Sequence, residues 1–524
     1  MSSSTLEMFS INLLNNERNV NLKFTDNVKV IVSENGQGKT TIISMLYRFL
    51  KKNKDLHSYN FKSLGVKIKG QEELVYPREI LKILFNNELF DAVNYSLDSY
   101  ELNLIENINS NTQIKITMPF VISLIIFFAG NASNSEKKWR GDSNDFLKWV
   151  NVSKSFDANA VLSLINHIRK FIDDNVFHYN EEDVIFSFEK LYSEICEVCN
   201  SLYLTQNNQW DFVVFINELH RLRNGVDDLN KKEFIYLPTY RLIESNLSFF
   251  RKKKDDEEFS FDGFSETKDF FKDNPLIQFG VGNIRETWDG LSNRIRSATT
   301  EDFLKLSGQL LTNIVSNRKI KQSEIKELQK NNTAVQKVIS RINQDTLTTK
   351  SKNSLINLLK GGNFPIDDNK QNALFYILEN MVTIYNNQKH IDETIESYRE
   401  VINTFFIDKK VVFNEITSEI YVEKIKNNKK IDIENLSSGE KQILSIFTKI
   451  YLANIDDKNK KYWIFYDEPE LSLSIEWQTI LLPKIIESGR CEFLLAATHS
   501  PFIFKDSSLK THTNDLSIEI TEVD

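Results

Sequence analysis

From Met8 to Val32 the apolar positions fall in short runs, "FSINLL", "VNLKF" and "VKVIV", the pattern of β-strands. In "TIISMLYRFLKK" the spacing changes to three and four, which predicts a helix, and the junction between the two patterns is "SENGQGKTT" (33–41). Residues 51–232 read as a mostly helical insertion without an assignable motif, and a strand returns at "EFIYLPTYRLIES" (233–245). The run "RKKKDDEE" (251–258) reads as a solvated loop. Between 301 and 409 the chain turns polar, with the helical spacing of hairpin arms in "IKELQKNNTAVQKVISRINQ" and "MVTIYNNQKHIDETIESYREVINTFF", broken by "GGNFPIDDN" (361–369). That predicts a short antiparallel helical subdomain rather than a long coiled coil. From Lys410 strands resume in "KVVFNEI", "EIYVEKI" and "KIDIENL", followed by a helix and two apolar strands, "YWIFYDEP" and "CEFLLAATHSP". The expected architecture is one α/β head split in sequence into 1–50, 233–300 and 410–524, interrupted by the insertion at 51–232 and the helical-hairpin or coiled-coil subdomain at 301–409.

Composition narrows the class without changing this division. With 524 residues the chain is long enough for about three domains. Its 41% hydrophobic and 26% charged residues are those of an ordinary globular protein. A net charge of -8 excludes a polybasic coat for nucleic acid, though not a local basic groove. Three cysteines are too few for a disulfide framework, and the C-x-x-C of Cys196 and Cys199 has no second pair; packing on a helix face is the simpler reading. The N-terminus "MSSSTLEMFS" lacks the features of a leader, and the apolar run "PFVISLIIFFAG" (119–130) is shorter than the roughly 20 residues of a membrane span. A cytoplasmic protein without membrane partners is expected.

Four stretches carry candidate chemistry. In the first, Asn35, Gly36, Gln37, Gly38, Lys39, Thr40 and Thr41 follow a strand and open a helix, the context in which backbone N–H groups and a helix N-terminus cradle phosphates. Lys39 would reach the β- and γ-phosphates of ATP and Thr40 would ligate Mg²⁺, while Ser33 stands where the phosphate-loop pattern begins with Gly. The second is "LSSGEKQ" (436–442): Ser437, Ser438, Gly439 and Glu440 open a helix, so they form either a second anion site or, more simply when taken alone, a helix cap. The third, "YWIFYDEPE" (462–470), delivers Asp467 and Glu468 to the end of a buried strand, Asp467 for Mg²⁺ and Glu468 to orient the attacking water; a mere turn is the alternative. In the fourth, "FLLAATHSP", His499 at a strand end would contact a γ-phosphate, although an isolated His is more often structural.

In order and relative spacing these four elements resemble an ABC-type ATPase head (a P-loop NTPase), with Walker A at 33–41, a signature at 436–442, Walker B with a catalytic Glu at 464–468, and a switch His. The split by helical insertion is similar to the SMC, RecF and overcoming-lysogeny-defect branch. "YLPTYRLIE", "IQFGVGNI", "DEPELSLSIEWQTILLPKI" and "ATHSPFIF" resemble the ATPase subunits of Septu and Septu-type retron anti-phage systems, and next the ATPase of PARIS. The similarity covers roughly 1–50 and 233–506. It differs at Ser474, where those ATPases often carry His, and at Ser438, which replaces the first Gly of a Leu-Ser-Gly-Gly signature.

The resemblance implies ATP and Mg²⁺ as cofactors, with Gln278 as the Q-loop ligand of the metal, and Arg241 as either a contact between heads or a structural ion pair. It implies a homodimer or higher oligomer, each ATP held between the phosphate loop of one copy and Ser437 and Gly439 of the other. It further implies a slow ATPase acting as sensor and assembly subunit, with an HNH-type nuclease as effector and, in a retron form, a reverse transcriptase with its RNA-DNA hybrid. A RecF- or SMC-like clamp on DNA is the rival reading and an ATP-bound scaffold with little turnover a third; an ABC transporter subunit fits the large insertions least.

Overall fold

The strand pattern at the N-terminus builds an antiparallel sheet. In the computed structural model β1 (Leu6–Leu14), β2 (Arg18–Lys23) and β3 (Val28–Val32) precede helix α1 (Lys39–Leu50). Then come β4 (Ser63–Ile68), β5 (Leu74–Pro77), α2 (Arg78–Leu84) and α3 (Phe212–Asn230). The structure describes residues 5–34, 36–87, 90, 212–238, 281–315, 324, 326, 328, 330–342, 344–361, 369–457, 459–505 and 507–523. Two units divide the chain, one of Met1–Glu233 with Asn514–Asp524, the other of Phe234–Thr513.

In the first unit β1 is central. It sets Phe9 opposite Leu22 and Ile11 opposite Val20 on β2, and the same two residues opposite Val66 and Leu64 on β4. All six side chains are buried, as alternation on a sheet with one covered face requires. Asn15 and Asn16 turn β1 into β2 with φ of 55° and 62°, a left-handed conformation that Asn tolerates better than most residues. The apolar face of α1, with Ile42, Met45, Leu46 and Phe49 buried, packs by Phe49 against Tyr76 of β5 at 4.9 Å. Gly225 of α3 lets that helix approach the sheet, since a Cβ there would lie 2.5 Å from Leu74 Cδ1. The C-terminal strand Ile520–Glu522 completes the sheet along β2, and a buried ion pair between Lys29 and Glu519 joins it to β3.

One expectation changes here. Residues 63–77, read as part of a mostly helical segment, form β4 and β5. The two strands are only four and six residues long, too short for helical and strand periodicity to be distinguished. The rest of the expected insertion, 91–211, lies outside the described residues, as do the Cys196–Cys199 pair, the run 119–130 and the charged loop 251–258.

The second unit contains β6 (Glu233–Leu237), then helices α4 (Val281–Val315), α5 (Asn332–Arg341), α6 (Thr349–Gly361) and α7 (Asn369–Asn403). Val335, Val338, Ile339, Phe375, Leu378 and Met381 form their common core. Because α4 already begins at Val281, the expected boundary at 300/301 falls inside a helix. A small antiparallel sheet follows, β7 (Lys409–Asn414), β8 (Glu419–Lys424) and β9 (Lys430–Ile431), then α8 (Ser438–Phe447). After it come β10 (Tyr462–Asp467), α9 (Ile475–Glu487) and β11 (Cys491–Thr498). β11, β10 and β6 are neighbours in that order, β10 and β11 parallel with Asp467 opposite Ala497. Every residue of β10 is buried, which accounts for its unbroken apolar run, and Trp463 stacks on Phe493 at 4.7 Å. Among the described residues no helix is long and apolar enough to cross a membrane.

Candidate functional site

In the first unit β3 stops at Val32 and α1 starts at Lys39, leaving Ser33–Gly38 as a loop at the helix N-terminus. Gly36 and Gly38 have φ of 88° and 86°, which L side chains rarely adopt. No side chain caps α1, and its first turn carries no acid, so its positive dipole end faces the loop. The Lys39 side chain is buried at 5% exposure and folds back over the loop: Nζ donates to Ser33 O at 2.8 Å, Ser33 Oγ at 3.0 Å and Glu34 O at 3.2 Å. Ser33, at the position of the pattern's first Gly, therefore adds a hydroxyl acceptor for the loop lysine. Thr40 is exposed and Thr41 half-buried; Gln37 has a buried Oε1 that meets no hydrogen-bond donor among the described residues. A glycine cradle, an uncapped helix end and a buried ammonium together fit a polyphosphate. Asn35 lies outside the described residues.

The second unit holds the acidic corner. Asp467 ends β10 at 1% exposure, and the chain turns at Glu468 with φ of 48°, a left-handed conformation for a residue with a side chain. Glu468 N still donates to Ala497 O at 2.8 Å, so the turn is held by the last rung of the parallel ladder. That rung brings the ends of β10 and β11 together and sets Glu468 Oε1 3.9 Å from His499 Nε2, both side chains partly exposed. Glu470, which the sequence reading did not single out, holds the strand end: its Oε1 accepts His499 N and its Oε2 accepts Thr498 Oγ1, each at 2.7 Å. Ser500 Oγ donates to Gln478 Oε1 at 2.6 Å, fixing the turn after His499 to α9. Ser474, which replaces the His of similar ATPases, caps α9 by accepting from Trp477 N at 3.4 Å.

The signature segment lies in the same unit, and the helix-cap reading of Ser437 describes its hydrogen bonds. Ser437 N donates to Glu440 Oε2 at 2.8 Å while Glu440 N donates to Ser437 Oγ at 3.3 Å, a reciprocal capping box. Glu440 is buried and its second oxygen accepts Lys409 Nζ at 2.8 Å, so its carboxylate is engaged within the fold. That bond is the main reason the Lys409 ammonium titrates above its ordinary value. Ser437 and Ser438 remain exposed. Gly439 is required by close approach, because a Cβ would lie 2.4 Å from Ser472 O in the loop after Glu468. Gln442 Nε2 donates to Tyr466 Oη at 2.8 Å, and burial pushes that phenol above its ordinary range, so the neighbour of Asp467 stays a neutral partner of the signature helix.

The structure thus gathers Gly36, Gln37, Gly38, Lys39, Thr40 and Thr41 on one loop, and Asp467, Glu468 and His499 at one strand corner. Gln278 and Arg241 lie outside the described residues. What the sequence reading missed are partners rather than motifs: Ser33 for Lys39, Glu470 for His499, Lys409 for Glu440. Ser33 and Glu470 both stood within recognised segments, 33–41 and 462–470.

A family model described as an AAA ATPase domain matches residues 16–504, a span that includes both the loop and the acidic corner. Among curated proteins none matches this chain.

Proposed function

Because the chain belongs to the AAA ATPase domain family, we propose that it is an ATP-binding and ATP-hydrolysing sensor of an anti-phage defence complex, closing two copies around ATP to control a separate nuclease. The observation that carries the ATPase reading is the loop at Gly36 and Gly38 with the buried Lys39 ammonium directed onto it. The glycines let backbone N–H groups turn towards phosphate oxygens, and Lys39 exchanges loop carbonyls for the phosphate chain. By the resemblance to ABC-type heads Thr40, Asp467 and Gln278 would be ligands of Mg²⁺, which would supply positive charge to the phosphates.

Glu468 is the group that orients the attacking water and accepts its proton. The left-handed turn presents its carboxylate beyond the strand end, and His499, on the neighbouring strand end, contacts the γ-phosphate and senses its loss. Exposed Ser437 and Ser438 at an N-terminal helix end offer an anion site to the ATP of a second copy. ATP then contributes differential binding energy to the closed dimer, and hydrolysis removes it. The defence role is supported by the resemblance of "DEPELSLSIEWQTILLPKI" and "ATHSPFIF" to Septu-type ATPases. It implies an HNH-type nuclease as partner and, in a retron setting, a reverse transcriptase with RNA-DNA hybrid.

The test is purification of Glu468→Gln with ATP from the native host, followed by mass spectrometry. Recovery of a nuclease, with or without a reverse transcriptase, is the expected result. Recovery of DNA with repair proteins alone replaces the defence reading by a RecF-like clamp, and a wild-type chain that binds ATP without measurable turnover replaces it by a scaffold.

A further inference from the structure

Helix α3 turns one polar face towards the tip of the β4–β5 hairpin. Asn217, Arg221, Asn224 and Asp228 recur along it at spacings of four, three and four, and with Gln71 and Glu72 of the hairpin they line a groove of about 540 Å³. That volume lies within the roughly 300–1,000 Å³ of small-molecule sites. Leu74 and Gly225, the buried lining residues, form its floor. A Cβ on Gly225 would lie 2.5 Å from Leu74 Cδ1 and 2.7 Å from Tyr76 Oη, so glycine is what allows helix and hairpin to close to this width. Behind the floor Tyr76 Oη is buried and has no hydrogen-bond partner among the described residues. His220 completes the wall and meets Phe90 edge-on, ring centroids 5.3 Å apart and planes at 90°, which fixes the imidazole plane.

The charged lining residues are Arg221, Glu72 and Asp228. Arg221 donates to Glu218 Oε2 at 3.2 Å and to Glu72 Oε2 at 3.4 Å, while Asp228 Oδ1 accepts Lys231 Nζ at 2.7 Å. The lining therefore carries no surplus of positive charge, and a phosphate or carboxylate is not the group it would recognise. What it offers unclaimed is neutral. The side chains of Gln71, Asn217 and Asn224 are exposed and make no hydrogen bond among the described residues. A carboxamide sets an acceptor beside donors, the complement of the adjacent donor and acceptor on a nucleobase edge. Leu74 and the imidazole of His220 supply faces for a flat ring. Asn217 and Asn224 are seven residues apart, about 10 Å along the helix, which is the span of a base with its sugar.

We propose that this groove binds a nucleobase with its sugar, the carboxamides of Gln71, Asn217 and Asn224 bonding the base edge and the sugar oxygens. The site shares no residue with the phosphate loop and goes beyond the ATP-binding reading. A free nucleoside and a base turned out of a single strand present the same edge, and the test separates them.

Adenosine, guanosine, cytidine and uridine are titrated calorimetrically into the full chain as wild type, Asn217→Ala, Asn224→Ala and Lys39→Ala. Short labelled homopolymeric single strands are followed in parallel by anisotropy, and the melting temperature of each protein is measured. The expected result is saturable binding of at least one probe, weakened about fivefold or more in at least one of the two Asn variants and unaltered in Lys39→Ala. Melting temperatures of the Asn variants should match wild type, because both side chains are exposed and without partners; should neither fold, Gln71→Ala decides by the same criterion. Nucleoside binding identifies a free ligand, and binding of strands alone identifies a base within a strand. No saturable binding of any probe, or wild-type affinity in both Asn variants, would overturn the proposal. Loss of binding in Lys39→Ala would place the base at the phosphate loop and overturn it equally, whereas the ATP-binding reading stands or falls on ATP titration alone.

Discussion

On the proposed reading Lys39 binds phosphate and Glu468 orients the attacking water, so their variants should separate binding from chemistry. Lys39→Ala removes the ammonium that is buried against the loop and should abolish ATP binding in a titration; unchanged affinity would mean that phosphates bind elsewhere. Glu468→Gln keeps the hydrogen-bonding shape and loses the base, so ATP should still bind while turnover falls about 10²- to 10⁴-fold. Near-normal turnover would assign the water to another residue. Glu470 acts through His499: with both oxygens engaged by the strand end, its replacement by Gln turns one acceptor into a donor facing a donor. We expect kcat to fall about tenfold with KM little changed, about 1.4 kcal/mol of lost positioning, and a normal kcat would reduce Glu470 to a structural residue.

The signature helix α8 is tied at three points, by the capping box of Ser437 and Glu440, by Lys409 on Glu440, and by Gln442 on Tyr466. Gly439 is where the helix is pressed against the loop that follows Glu468. Backbone blocks the added methyl of Gly439→Ala, so helix and loop must separate, at a cost of about 1–3 kcal/mol in denaturant unfolding. Turnover should fall with it; a fully stable variant would show that the loop yields freely. The helical subdomain offers a comparison remote from the chemistry. Asp392→Ala leaves Arg341 buried without its carboxylate and should lower stability by about 3–5 kcal/mol, with ATP affinity unaffected.

Across the whole molecule the chain closes on itself through Lys29 and Glu519, whose side chains are 4% and 9% exposed. Burial raises the Glu519 carboxyl above its ordinary value although Lys29 opposes it. The motifs were legible because each is local: strand, glycine turn and helix within nine residues at 33–41, or an apolar strand ending in two acids at 462–468. Such stretches specify their own backbone, since left-handed turns demand glycine and buried parallel strands demand continuous apolar runs. Partners far apart in sequence were not legible. Glu470 meets His499 across 29 residues, Lys409 meets Glu440 across 31, and Lys29 meets Glu519 across 490. No periodicity encodes those pairings, because register between strands and packing between helices choose them after the chain has folded. The same holds for β4 and β5, short runs that became strands when β1 offered an edge to pair with. Residue chemistry at close spacing thus sufficed to single out a glycine loop at a helix N-terminus and an acidic strand end in a chain of the AAA ATPase domain family. Which side chains hold Lys39, His499 and the signature helix in place depended on distances that folding alone establishes.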